Sequence, residues 1–302
     1  MKTTEHLIIP GRAKNLGEVT IWRTLPSRQK RSVGPFVFID HMGPQKIDSA
    51  HSLEVRPHPH IGLATLTYLF SGQALHRDSL GSKQMISAGD LNLMTAGRGI
   101  VHSERTPDSA IRDILHGIQI WLALPKEQED CEPTFQHWRK DQLPNIHIED
   151  GLNAQLLLGE FAGSKSPVVT LSKTLLLQCQ CTADLSCEVT CNEQEFALCL
   201  ISGSCSVDDQ ELRPEDLICL AGPRRIKLRL RAGTQFVILG GDPHPEPRFI
   251  WWNFVSSSQE KIRQAAQAWQ EQRMGQIESE TDFYPAPEMP VQSTKPTTAE
   301  DV

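Results

Sequence analysis

Arg56-Pro57-His58-Pro59-His60-Ile61-Gly62 is the most informative segment of this sequence, and Thr95-Ala96-Gly97-Arg98-Gly99-Ile100-Val101-His102-Ser103-Glu104 follows it downstream. In an extended strand, residues i and i+2 point to the same face, about 6.6 Å apart. His58 and His60 can therefore converge on one ion, and so can His102 and Glu104. Two neighbouring strands would then supply three imidazoles and one carboxylate.

The specificity of this pattern comes from the combination of the two pairs. A His-x-His pair alone is also typical of two surface histidines beside prolines. A second pair at strand spacing, framed by glycine turns, favours a metal site, because inward-facing polar groups must otherwise be satisfied in some other way. Pro57 and Pro59 cannot donate to a strand ladder, which predicts a strand entrance or an edge strand. The ligand types suit Fe(II) and also Mn, Co, Ni, Cu or Zn.

Short apolar runs separated by Gly, Pro, Asp and Ser fill most of the chain and predict an all-β fold. The pattern Tyr68-Leu69-Phe70-Ser71-Gly72 recurs as Cys199-Leu200-Ile201-Ser202-Gly203. Two copies of a small barrel explain this repeat. We therefore predict an N-terminal metal-binding barrel over residues 1–135 and a second barrel over residues 136–284.

One helix is predicted near residues 259–273. Ser257-Ser258-Gln259-Glu260 resembles a capping box, and one face then carries apolar side chains at helical spacing: Ile262, Ala265, Ala266 and Trp269. After Tyr284 the composition turns to Pro, Thr, Ser and Glu. Residues 285–302 are therefore predicted to form a disordered tail.

The bulk properties exclude several classes of function. The 302 residues carry a net charge of −7, which argues against general binding to nucleic acid or to acidic membranes. The sequence lacks a secretion signal and any apolar run long enough to span a membrane, so a cytoplasmic protein is expected. Seven of its eight cysteines lie between Cys179 and Cys219. Reduced thiols packed as small hydrophobes are the favoured interpretation, and a second metal site made of thiolates is the alternative.

The histidine segments resemble the two cupin motifs with specific departures. Thr65 stands at the position of the usual glutamate, Ser52 stands at that of the leading glycine, and His102 comes two residues late. With these departures the sequence resembles the pirin family, in which the missing glutamate is replaced by one two residues after the third histidine, here Glu104. Four further stretches are similar to bacterial pirins: Phe38–Pro44, Arg56–Tyr68, His76–Ser82 and Met94–Thr106.

The resemblance implies a bicupin, with two antiparallel jelly-roll barrels packed face to face and a short C-terminal helix. It implies one metal ion in the N-terminal barrel, iron by family precedent, on His58, His60, His102 and Glu104. The implied activity is quercetin 2,3-dioxygenase chemistry, in which Glu104 accepts the proton of a flavonol and dioxygen opens the central ring with loss of carbon monoxide. The alternative is a non-enzymatic, iron-dependent regulator that binds a transcription factor or a metabolic enzyme. A monomer is expected.

The second barrel is predicted to lack a metal. When Gly203 is matched to Gly72, Val189 and Cys191 fall at the positions of the paired histidines. Leu228 and Leu230 fall near those of the third histidine and the glutamate. We therefore interpret this barrel as structural or as a surface for a partner.

Overall fold

The computed structural model describes residues 6–16, 19–48, 52–111, 113–278 and 280–289. Short strands account for most of its regular structure, with one α-helix and three single-turn 3-10 helices among the described residues. No helix in that part of the chain is both long and apolar enough to cross a membrane. The all-β prediction is confirmed.

The strands follow one another closely along the chain. They are, in chain order, β1 (Leu7–Ile9), β2 (Arg12–Leu16), β3 (Val19–Leu25), β4 (Phe36–Lys46), β5 (Glu54–His60), β6 (Leu63–Ser71), β7 (Gln73–Asp78), β8 (Lys83–Ser87), β9 (Leu91–Thr95), β10 (Ile100–Arg105), β11 (Ile114–Ala123), β12 (Thr134–Trp138), β13 (Asn145–Glu149), β14 (Leu152–Leu158), β15 (Glu160–Phe161), β16 (Ser164–Lys165), β17 (Thr174–Cys181), β18 (Leu185–Cys191), β19 (Glu195–Ser202), β20 (Cys205–Val207), β21 (Gln210–Leu212), β22 (Leu217–Ala221), β23 (Arg224–Leu230), β24 (Gln235–Gly241), β25 (Phe249–Trp251) and β26 (Phe254–Ser256). The α-helix is α1 (Gln259–Gln270), and the 3-10 helices span Asp108–Ala110, Lys126–Gln128 and Lys140–Gln142.

The chain forms two compact units. The cysteine unit contains the described residues of 1–12, 22–37 and 141–244, and the histidine unit contains those of 13–21, 38–140 and 245–302. The chain passes between them at several points, one of which follows Lys140, and the domain boundary at residue 135 stays a prediction. Each unit also includes segments that are distant in sequence, because the units are defined by contacts between strands and side chains and not by chain order. The C-terminal helix, grouped by sequence with residues 136–284, belongs to the histidine unit.

Each unit combines a seven-stranded sheet with a four-stranded sheet. In the histidine unit the orders are β12-β9-β6-β11-β4-β3-β2 and β5-β10-β7-β8. In the cysteine unit they are β1-β22-β19-β24-β17-β14-β13 and β18-β23-β20-β21. The segment β9-β6-β11-β4 corresponds to β22-β19-β24-β17, and the four-stranded sheets correspond strand for strand. The internal repeat is thus two copies of one antiparallel barrel topology.

The repeated Ser-Gly turns have a shared backbone requirement. Gly72 lies between β6 and β7 with φ of 82°, and Gly203 lies between β19 and β20 with φ of 88°. A Cβ at Gly72 would lie 2.7 Å from the carbonyl oxygen of Ile114, and one at Gly203 would lie 2.6 Å from the Cα of Thr234. Both positions therefore require glycine for its positive φ and for space.

The thiols of the cysteine unit are part of its apolar core. All eight cysteines of the chain are free. Cys179, Cys181, Cys191 and Cys205 pack among buried Leu, Ile, Val and Phe side chains of that unit. This arrangement fits the interpretation of the cysteines as small reduced hydrophobes.

Helix α1 buries the predicted face. Its four apolar side chains pack with Ile61, Val101, Trp251 and Phe254 in one cluster of the histidine unit. The expected capping box is not formed, since the N-cap residue Ser258 makes no side-chain cap.

Two side chains of the segment that follows the helix contact the same apolar cluster. Ala286 and Met289 are partly buried and pack against it. The disorder expected for residues 285–302 stays a prediction. Residues 290–302 lie outside the described part of the chain.

His41 of β4 and His116 of β11 form a close pair. Their Nε2 atoms lie 2.8 Å apart, so one ring donates and the other accepts. The ring of Phe70 lies 4.7 Å from that of His116. Burial and, to a smaller extent, His116 lower the pKa of His41 to about 3, and burial lowers the pKa of His116 to about 4. Both rings are therefore neutral at neutral pH.

This pair predicts acid sensitivity of the metal-free protein. Unfolded histidines titrate near pH 6.5, so between pH 6.5 and about 4 the unfolded chain binds protons that the folded pair does not. The contribution of the pair to stability is therefore fully present above pH 6.5 and decreases as the pH falls, by up to about 1.4 kcal/mol per pH unit for buried His41 and by less for His116, which solvent partly screens. Urea unfolding of the His41→Gln/His116→Gln double variant between pH 4.5 and 7 should show a smaller loss than the parent. His147→Gln, whose side chain is 66% exposed, is the control. Equal pH dependence in the double variant and the parent would refute the assignment.

Candidate metal centre

Strands β5 and β10 bring the three predicted histidine ligands together. They pair antiparallel with His58 opposite His102 and His60 opposite Ile100. β5 is an edge strand of the four-stranded sheet, as its two prolines predicted. The pairing is irregular between His102 and Glu104, where β5 takes one additional residue. The ladder between β10 and β7 stays regular on the other side, with Glu104 opposite His76.

His58, His60 and His102 form the histidine triad. One ring nitrogen from each lies within 4.8 Å of the others, and the Nε2 atoms of His60 and His102 are 3.0 Å apart. Two nitrogens bound at about 2.1 Å to one ion and at right angles to each other are separated by roughly 3 Å. The spacing of the triad therefore fits a shared metal ion.

Backbone carbonyl groups fix the orientation of two of these rings. His58 Nδ1 donates to the carbonyl oxygen of Arg56 at 2.8 Å, and His60 Nδ1 donates to that of Asn253 at 3.0 Å. A neutral ring that donates from Nδ1 leaves the Nε2 lone pair free for a metal. In His102, Nδ1 is buried and has no hydrogen-bond partner among the described residues, and Nε2 lies 3.0 Å from that of His60. The hydrogen bonds of His58 and His60 thus leave their Nε2 atoms free to bind an ion.

Burial keeps the triad neutral. The exposed fractions of His58, His60 and His102 are 7%, 1% and 1%. Burial, with a smaller contribution from nearby His76, lowers the pKa of His58 to about 4, although the hydrogen bond to the Arg56 carbonyl opposes the decrease. Burial together with the neighbouring histidines holds the pKa of His60 and His102 well below the usual value. Protons therefore do not compete with a metal for these nitrogens near neutral pH.

Glu104 lies on the same strand as His102 but outside the group of three nitrogens. It is buried, and its carboxylate accepts hydrogen bonds from Thr67 Oγ1 at 3.2 Å and from Gln119 Nε2 at 3.0 Å to each oxygen. Burial raises the pKa of Glu104, while His76, Gln119 and Thr67 oppose the increase. The role of Glu104 as a fourth ligand stays a prediction.

The sequence did not single out Thr67, Gln119 or Asn253. A signal for the first two was present, because Gln119 is a lone amide in the apolar run Ile118–Leu124, and Thr67 lies two residues after Thr65 on the same strand face. The contribution of Asn253 is a backbone carbonyl, which has no signature in a sequence.

The hairpin from β7 to β8 contains a hydrogen-bonded turn at Asp78 and the buried histidine ring of His76. Asp78 accepts hydrogen bonds from the backbone amides of Leu80 and Ser82, as expected for a turn. Its other oxygen lies 3.1 Å from His76 Nε2. The His76 ring stacks on Phe135 and lies 5.4 Å from the ring of His102. His76 is thus a neighbour of the triad, which the sequence analysis did not predict.

The C-terminal segment runs along the open edge of β5. The backbone amide of Tyr284 donates to the carbonyl oxygen of Pro57 at 3.0 Å, and its ring lies 6.3 Å from that of His58. Glu280 pairs with Arg105 at 2.6 Å and accepts a hydrogen bond from Ser103 at 2.9 Å. These contacts hold the segment against the two strands that carry the triad.

The cysteine unit has apolar side chains where the histidine unit has its triad. Val189, Cys191, Leu228 and Leu230 are all buried in its core cluster. Burial raises the pKa of the Cys191 thiol to about 12, so this thiol stays protonated. Of the described residues, only the triad forms a group with metal-ligand spacing. The expectation of one metal ion per chain stays a prediction.

Comparisons with known proteins cover nearly the whole chain. A family model described as Pirin matches residues 18–122, and one described as Pirin C-terminal cupin domain matches residues 176–275. A pirin-like protein of Caulobacter vibrioides is 38% identical over 93% of this chain and 99% of its own length. A provisionally named quercetin 2,3-dioxygenase of Pseudomonas aeruginosa is 38% identical, over 91% of this chain and 88% of its own.

Solved structures show the same architecture. A crystal structure of a quercetin 2,3-dioxygenase from Acinetobacter baumannii superposes with a TM-score of 0.90 at 35% identity, over 95% of this chain and 96% of that one. A bacterial pirin of Escherichia coli, solved in complex with nickel(II), has a TM-score of 0.63 at 20% identity and covers 79% of this chain and 100% of that one. The second likeness concerns the fold alone.

The triad predicts the behaviour of its variants. His58→Ala and His102→Ala each remove one of three nitrogen ligands, so the metal content of protein purified without added metal should fall from about one ion per chain to near zero. Circular dichroism should show that the β-structure remains. Elemental analysis of both variants gives the measurement, and full occupancy in both would show that the site lies elsewhere.

Cys191→Ser provides the matched test of the second barrel. Because this thiol is buried and protonated, its replacement should leave the metal content at the value of the parent. Loss of metal in this variant, or two ions per chain in the parent, would assign a site to the cysteine unit.

Proposed function

The chain belongs to the pirin family, and we propose that it is a metal-dependent quercetin 2,3-dioxygenase-type oxidoreductase that opens a flavonol ring with dioxygen. The observation that carries this proposal is the convergence of three buried, neutral imidazoles, with the buried carboxylate of Glu104 on the same strand as His102. The 35% identity to a quercetin 2,3-dioxygenase of known structure supports it.

We propose that one divalent ion, Fe(II) by family resemblance, is held by His58, His60, His102 and Glu104. Mn, Co, Ni, Cu and Zn suit the same ligands. An ion at this position would supply Lewis-acid stabilisation of an oxyanion and redox chemistry with dioxygen. Neutral imidazoles leave most of the positive charge of such an ion uncompensated, which favours an anionic substrate.

Glu104 is the proposed base. Its carboxylate is the anionic group among the proposed ligands, and burial raises its pKa toward neutrality, which makes it a better proton acceptor than an exposed carboxylate. We infer that it takes the proton of the flavonol 3-hydroxyl. The flavonolate and dioxygen are the proposed reactants, and the ring opens with loss of carbon monoxide, as in the enzymes that this chain resembles.

A non-enzymatic, iron-dependent regulator is the second candidate. The observation that favours it is the near closure of the triad, of which His58 is the most exposed member at 7%. Ser103, between His102 and Glu104 on β10, binds Glu280 in the charged cluster that also contains Arg105 and Arg77. A change in the charge of the metal ion would thus act on β10, which contacts these charged groups. A protein partner that binds the charged groups would then distinguish the two states of the metal. The monomeric state and cytoplasmic location remain predictions from the sequence.

The enzymatic proposal predicts slow, metal-dependent oxidation of quercetin. Oxygen uptake and loss of flavonol absorbance are measured for the iron-loaded protein, its metal-free form and Glu104→Gln. Glutamine has nearly the same shape but cannot accept the proton, so the rate per bound iron should fall by about 100-fold or more. Iron content is determined for each sample, so that loss of metal is separated from loss of the base. A loaded parent no faster than free iron would reject the enzymatic function and favour the regulator.

A further inference from the structure

We propose that Thr67 and Gln119 are positioning residues that orient the Glu104 carboxylate for metal ligation. The inference rests on the proposed metal site, but it does not require that the bound metal oxidise a flavonol.

The first support is the origin of the hydrogen bonds. Thr67 of β6 and Gln119 of β11 are directly opposite each other in the seven-stranded sheet. Glu104 belongs to β10 in the four-stranded sheet. All three contacts to its carboxylate therefore cross the interior of the histidine unit from one sheet to the other, and they hold the side chain from the side opposite its own strand.

The second support is burial. The exposed fractions of Thr67, Gln119 and Glu104 are 7%, 9% and 6%, so water does not replace these contacts. A glutamate side chain has three rotatable bonds, and holding it in one conformation costs rotamer entropy. The Gln119 amide donates to both carboxylate oxygens, while the Thr67 hydroxyl donates to Oε1 alone. The three contacts therefore define both the position and the plane of the carboxylate.

The third support is that the buried Glu104 carboxylate needs hydrogen-bond donors. A buried carboxylate that lacks donors is costly, and a metal ligand whose oxygens lack donors is poorly oriented. The usual cupin position for the acid is Thr65 on β6, whereas here the acid comes from β10. Thr67 lies two residues after Thr65, and its hydroxyl donates a hydrogen bond to the Glu104 carboxylate. Removal of such contacts typically weakens metal binding by about 10- to 100-fold.

The test uses Co(II) and the metal-free full-length protein. Co(II) affinity is measured by titration, and the visible spectrum of the bound ion reports its coordination. Thr67→Val keeps the shape and removes the hydroxyl, and it should weaken Co(II) binding about 10-fold and change the spectrum. Thr67→Ser restores the donor and should bind within about threefold of the parent. Gln119→Met removes the amide and should weaken binding by about 10- to 100-fold.

A double-variant cycle separates positioning from general support of the fold. If Thr67 acts through the Glu104 carboxylate, Thr67→Val should weaken Co(II) binding much less in the Glu104→Gln background than in the parent. Thermal unfolding of the metal-free variants shows whether each variant is folded. If Gln119→Met does not fold, the result for Thr67→Val alone decides the test. Parent-like affinity and spectrum in Thr67→Val, or an undiminished effect in the Glu104→Gln background, would overturn the inference. A parent that binds Co(II) but, when loaded with iron, leaves quercetin intact would instead overturn only the proposed reaction.

Discussion

The register of β10 against β5 is the constraint on which the candidate site depends. Because side chains alternate across a pleated strand, the pairing of His102 with His58 determines the position of every other polar group nearby. A shift of one residue would turn His102 away and direct Val101 and Ser103 inward. The edge position of β5 accommodates Pro57 and Pro59, and the bond from Tyr284 to Pro57 uses a carbonyl group that the ladder leaves open.

Burial then determines the chemistry of the site. Burial lowers the pKa of the imidazoles, which therefore stay neutral, and it raises the pKa of the Glu104 carboxylate. Both shifts have the same cause, which is that the charged form loses its solvation. The site thus combines three neutral imidazoles with a carboxylate whose pKa is raised. Thr67 and Gln119 moderate the cost of burying Glu104 by donating from the facing sheet.

The two units share one barrel topology but differ in the side chains that fill the interior. Their four-stranded sheets, β5-β10-β7-β8 and β18-β23-β20-β21, have the same order. In the cysteine unit the corresponding interior is filled with aliphatic side chains and protonated thiols, which are stable there without a metal ion. The barrel topology therefore does not by itself specify a metal site, and the inward-facing side chains of two strands do.

The sequence by itself determined the all-β class, the internal repeat, the buried face of α1 and the three histidines of the triad. These features depend on periodicity and local spacing, which the order of residues contains directly. The tertiary structure alone decided that Thr67 and Gln119 bind Glu104, that Asn253 orients His60, and that His76 lies beside His102. It also decided that the C-terminal helix belongs to the histidine unit and that Ala286 and Met289 pack against the apolar cluster around this helix. The reason is physical: these contacts join strands and loops far apart in the chain, and sheet order and burial, not sequence spacing, bring them together.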